Sequence, residues 1–118
     1  MNKYRAIRTI SRLCVSNKYN ARRTFSILCN RTFSSQSEAK RGEELRLLEM
    51  AGLIKDLEYQ VRFVLSQKPR ISITVDFAYT EDGVRKYEDV KGMGETREFR
   101  VKRIWLKEKY GVDIELVR

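Results

Sequence analysis

Histidine is absent from this 118-residue chain, and no other feature removes as much chemistry. Without imidazole there is no Ser-His or Cys-His catalysis, no His-ligated zinc and no His-based nuclease chemistry. The two cysteines, Cys14 and Cys29, supply neither a zinc set nor a disulfide framework and read as free thiols of a reducing compartment. One proline and six glycines leave little room for low-complexity linkers. No apolar run approaches the roughly 20 residues a membrane-spanning helix needs, so no membrane partner is expected. Whatever reaction the chain performs must run on carboxylates, lysines and a hard metal ion.

Acidic residues are also missing from residues 1–37, which hold eight of the 25 Lys and Arg; the other 17 share residues 38–118 with all 16 Asp and Glu. The net charge of +9 thus divides into +8 on the first third and +1 on the rest. A basic arm on a near-neutral domain suits a polyanion, because each Lys or Arg placed at a phosphate releases condensed counterions. Arg22 and Arg23 are candidate nucleic-acid contacts within it. The plain alternative is a solubilising tail. An Arg- and Ser-rich, acid-free start also resembles a mitochondrial transit peptide over residues 1–33, although its apolar stripe (Ile7, Ile10, Leu13, Val15) is short. Residues 1–17 read as a poorly ordered basic arm and 18–118 as one domain.

Periodicity orders the rest. Thr24–Leu28 and Arg31–Phe33 flank Cys29-Asn30 as a small hairpin, since Asn tolerates positive φ. Ser35-Gln36-Ser37-Glu38 is a capping box that opens a helix to about Ala51, with Gly52 as its stop and Glu38, Ala39, Leu45 and Leu48 on the inward side. Leu57, Tyr59, Val61, Phe63 and Leu65 alternate with polar residues, as do Ile71, Ile73, Val75, Phe77 and Tyr79; a third strand runs from about Arg85 to Lys91. Thr96 to Tyr110 reads as a second helix with Val101, Ile104, Trp105 and Glu108 along one side. Val112, Ile114 and Leu116 then alternate in a last strand. The order is helix, three strands, helix, strand: an α/β class.

Two short segments within this order carry chemistry, Val75-Asp76-Phe77 and Glu88-Asp89-Val90-Lys91. Residues two apart on a strand share a face, so Asp89 and Lys91 point together. An antiparallel turn near Gly83 would bring Asp76 beside Asp89. Converging carboxylates repel unless a cation lies between them, and Mg²⁺, with Mn²⁺ as the alternative ion, prefers such oxygen ligands plus water. Lys91 would then steady the attacking water or the charge building on phosphate. The bland reading is a solvent-facing Asp76 and a charged edge strand. Against it, an Asp inside an apolar strand is costly unless paired or metal-bound. Glu38 is a third candidate ligand and catalytic acid, or simply completes its capping box. Lys102 and Arg103 on the second helix and Gln60 on the first long strand are candidate phosphate contacts, or ordinary surface residues.

Asp, about a dozen residues, then Asp-x-Lys is the spacing of the PD-(D/E)XK nucleases. From Lys18 onward the chain resembles small phage-encoded proteins of unknown function in that superfamily. The resemblance rests on Lys18-Tyr19, Phe33, Ser35, Glu38-Ala39, Glu44-Leu45, Leu47-Leu48, Ala51-Gly52, Asp76-Phe77, Glu88-Asp89-Val90-Lys91-Gly92, Lys102 and Tyr110-Gly111. It implies a restriction-endonuclease-like core: a central mixed sheet flanked by helices, with Asp76 and Asp89 as metal ligands and Lys91 as catalytic lysine. By the same likeness Glu38 is the first-helix acid and Lys102 a phosphate contact. Ser34, Gln36, Gly42 and Val75 depart from the pattern.

The expectation is therefore a Mg²⁺-dependent endonuclease acting on DNA, with phage junction resolution, replication or packaging as its setting and the bacterial cytoplasm as its location. A homodimer would suit cuts on two strands. The rivals are a non-catalytic basic nucleic-acid-binding protein on the same fold, and an interaction protein that blocks a host factor.

Overall fold

The computed structural model describes residues 14–16, 22–91 and 94–117. The chain divides into two compact units, Met1–Leu53 and Ile54–Arg118. Of the segment read as a basic arm, residues 14–16 form a strand and the others lie outside the described residues.

The first unit is a three-stranded antiparallel sheet, β1 (Cys14–Ser16), β2 (Arg22–Ser26) and β3 (Arg31–Phe33), with helix α1 (Gln36–Met50) packed on β2 and β3. The hairpin turns where expected: Asn30 has φ 53°, and its N–H donates to the Ile27 carbonyl at 3.2 Å. On β2 the inward side chains are hydroxyls, set beside buried Phe33 of β3. Thr24 and Ser26 are buried while Phe25 and Ile27 are exposed. The Ser26 hydroxyl donates to buried Glu43 at 2.8 Å and accepts the Cys29 N–H at 3.1 Å, a polar anchor for β2. Helix α1 starts at Ser35, whose hydroxyl accepts the Glu38 N–H at 3.1 Å. Glu38, Ala39 and Leu45 are buried, as the inward stripe predicts.

The second unit carries a four-stranded sheet in the order β4 (Lys55–Gln67), β5 (Arg70–Glu81), β6 (Val84–Val90) and β7 (Ile114–Val117). The first three strands are antiparallel and β7 runs parallel to β6, so the sheet is mixed. Helix α2 (Arg97–Tyr110) makes the crossover between β6 and β7. Asp82 and Gly83 both have positive φ (53° and 79°), as a two-residue hairpin turn requires, and set the register Glu81↔Val84 through Phe77↔Glu88. Leu65, Ile73, Val75, Leu106 and Ile114 form the core, with Phe63, Ile71, Tyr87, Phe99, Trp105 and Val112 packed around it.

Val101, Ile104 and Glu108 share one side of α2, as read, and that side faces away from the sheet: Val101 and Ile104 are 57% and 54% exposed, whereas Trp105 at its edge packs on the core and Leu106 is fully buried. Phe99 and Leu106, two turns apart, supply the apolar contact together with Trp105, while Lys102 and Arg103 lie half-covered between the first two. Long cationic side chains can cover apolar surface with their stems, which hides the face from a count of apolar residues. The last strand begins at Ile114 rather than Val112, and Leu116 is 39% exposed.

In urea titrations of dilute protein, Leu106→Ala is expected to cost about 3 kcal/mol and Ile104→Ala no more than about 0.5 kcal/mol. Equal losses would reverse the orientation of α2.

Candidate metal and phosphate site on the four-stranded sheet

Ladder pairing between β5 and β6 ends at Phe77↔Glu88, while β5 stays paired with β4 down to Arg70 and β6 with β7 up to Val90↔Val117. The two central strands part there, and backbone groups that lose their ladder partners must find others. Two carboxylates supply them. The Asp76 N–H donates to Asp89 Oδ1 at 3.1 Å, and the Val90 N–H donates to Asp76 Oδ2 at 2.9 Å. Each aspartate thus caps the other's strand. The register set by the Asp82-Gly83 turn is what brings them face to face.

Alternation places the neighbours. Glu88 turns to the opposite side, where it is buried and accepts a hydrogen bond from the Tyr79 hydroxyl. Lys91 follows Asp89 on the shared side, and its N–H donates to the Val117 carbonyl at 2.9 Å. Lys91 Nζ lies 2.9 Å from Asp89 Oδ2 and 3.8 Å from the centroid of the Phe99 ring. The ammonium is held between an anion and an aromatic face, a cation–π arrangement that fixes a flexible side chain. Gln60, in a left-handed backbone conformation (φ 53°), donates from Nε2 to Asp76 Oδ1 at 3.3 Å. Asp89 is 2% exposed and Asp76 is half-buried.

Asp89 Oδ2 is buried and forms an ion pair with Lys91 without hydrogen-bond geometry. That oxygen, with the Asp76 carboxylate beside it, is a donor set of the hard, anionic kind that suits Mg²⁺ or Mn²⁺ completed by water. The chemistry fits a divalent cation. The fit is limited to two carboxylates: among the described residues no group of three or more Asp, Glu or Cys is arranged to hold a metal.

The structure therefore brings Asp76, Asp89, Lys91 and Gln60 together. Glu38 belongs to the first unit, where it is buried and accepts the Ser34 hydroxyl at 2.5 Å. Arg22 and Arg23, also in that unit, are exposed on β2. Lys102 pairs with Glu98 at 3.0 Å. Arg103 is engaged by Glu95, which accepts from its Nε at 2.6 Å and its Nη2 at 3.2 Å and from Arg100 Nε at 3.0 Å. Both helix cations read as phosphate contacts thus already have carboxylate partners. Phe99 and Glu95 were missed. A residue just before the Thr96 cap, followed by Arg at five and eight places, was a readable signal for Glu95; Phe99 had none beyond being aromatic.

A family model described as Protein of unknown function (DUF1064) matches residues 16–117. The chain belongs to that family. The match spans both units and every residue of the aspartate cluster. No curated protein and no solved structure matches this DUF1064 chain. Among its described residues no helix is long and apolar enough to cross a membrane.

The Arg103 guanidinium, followed by Arg100, holds the Glu95 carboxyl below its ordinary range. A depressed folded-state value means that this pairing stabilises the fold fully above the ordinary glutamate range and fades as pH falls below it. Glu95→Gln is accordingly expected to melt below wild type at pH 7, with the two curves converging under strong acid. A gap that persists or widens there would contradict the assignment.

Proposed function

We propose that this protein is a metal-dependent endonuclease acting on DNA, built on a restriction-endonuclease-like core of the PD-(D/E)XK kind. The observation that carries the reading is the cluster at the parting of β5 and β6: two aspartates capping each other's strand, with a lysine ammonium 2.9 Å from one of them. The order of elements in the second unit, three antiparallel strands, a crossover helix and a parallel strand, supports it.

Asp76 and Asp89 would hold Mg²⁺, and the chemistry the ion supplies is polarisation of the scissile phosphate and a water made more acidic. The chain's own contribution is positional. The backbone N–H groups of Asp76 and Val90 fix both carboxylates, so little reorganisation is needed when an ion or phosphate arrives. Phe99 confines Lys91 Nζ to the rim of the site, where it can neutralise charge growing on a phosphate oxygen. Gln60 can donate to the water or to phosphate from its place beside Asp76. Exposed Arg22 and Arg23 suit contacts with the DNA backbone. A phage four-way junction is the first substrate to try.

A second reading has an observation in its favour. Lys91 is already ion-paired, and among the described residues no third carboxylate joins the pair, as suits a binding protein whose aspartates only tie strands together.

Purified protein incubated with duplex, single-stranded and four-way-junction DNA separates the two. Cleavage that needs Mg²⁺, stops with EDTA and falls by about a hundredfold or more in Asp76→Ala and Lys91→Ala is the expected result, with unchanged far-UV circular dichroism. Retained binding without cleavage of any substrate would favour the second reading.

A further inference from the structure

We infer that the outward face of α2 is a self-association surface on which a second copy of this chain docks antiparallel, about a two-fold axis between Val101 and Ile104. The inference is independent of the nuclease reading.

Arg97, Val101, Ile104 and Glu108 follow one another at intervals of four, three and four residues, which keeps them on one line of a helix. That line lies opposite Phe99 and Leu106, which pack on the core, as does Trp105 at the line's edge. Its two apolar members are more than half exposed. Beside it a shallow apolar depression of about 420 Å³ is lined by Ile71, Glu98, Val101, Lys102 and Trp105, with Arg97 at its rim. Two β-branched residues beside such a depression are unusual on a surface with nothing to meet.

The charges identify the occupant. Read from either end the line is charge, apolar, apolar, charge, with opposite signs at its ends. An antiparallel copy sets Val101 against Ile104 and Arg97 against Glu108, each twice, as an isologous interface requires. A parallel copy would set Arg97 on Arg97 and Glu108 on Glu108, so the pattern selects one orientation. Among the described residues neither Arg97 nor Glu108 has an ion-pair partner within the chain, whereas their neighbours do. Arg100 is held by Glu95 at 3.0 Å, Lys102 by Glu98 at 3.0 Å and Lys107 by Asp113 at 3.4 Å. Pairing with Glu95 and Asp113 also blunts the repulsion between Arg100 and Lys107, which flank the same side of such an interface. One helix against another is a small contact, so the association is weak and concentration-dependent.

Sedimentation velocity on the full chain, from dilute to concentrated protein, tests this. Wild type should pass reversibly from monomer to dimer, and Ile104→Asp should remain monomeric with unchanged circular dichroism. Arg97→Glu and Glu108→Arg should each weaken association about threefold to tenfold, and the double reversal should restore it. A wild-type chain that stays monomeric at the highest concentration would overturn the inference. So would a double reversal no tighter than the single variants.

Discussion

Two hydrogen bonds, from the Asp76 N–H to Asp89 and from the Val90 N–H to Asp76, hold the second unit at its most exposed point of failure. Strands that part inside a sheet leave backbone donors without ladder partners, and buried donors without partners are costly. Carboxylates satisfy those donors through charge-assisted bonds, each worth about 1.5–3 kcal/mol. The same bonds concentrate two negative charges where the sheet opens. One arrangement therefore closes the fold and creates an electrostatic demand for a cation, which Lys91 meets in part.

The surrounding elements follow from that point. The Asp82-Gly83 turn fixes the register that makes the two aspartates face each other. The crossover helix brings Phe99 under the lysine, so the ammonium is placed from two sides. At the start of the same helix, Glu95, just before its cap, engages Arg100 and Arg103, and Glu98 in its first turn engages Lys102. Within α2, Arg100, Lys102, Arg103 and Lys107 are thus engaged by carboxylates, whereas Arg22 and Arg23 are exposed on β2.

Elements set by local chemistry were legible in the sequence, and faces set by packing were not. Asn30, the Ser35 cap and Asp82-Gly83 each announce themselves, because left-handed φ or an unpaired helix N–H restricts the residue type. The convergence of Asp76 and Asp89 could be read because period-two alternation and a two-residue turn leave one outcome. The inward face of α2 could not. Its apolar residues occur on opposite sides, and Lys102 and Arg103 lie half-covered on the side where Leu106 and Phe99 pack. The inward hydroxyls of β2 were hidden likewise, since Phe25 and Ile27 look like core until Glu43 is known to be buried against Ser26. The roles of Glu95 and Phe99 depend on contacts between elements, which alternation does not encode.

The account turns on whether the paired aspartates grip a hard cation. Binding of Mn²⁺ to the full chain, followed by the loss of the free-ion electron paramagnetic resonance signal, addresses that without any substrate. Saturable binding by wild type that is lost in Asp76→Asn, with circular dichroism unchanged, is the result predicted. Equal binding by both proteins, or none by wild type, would contradict it.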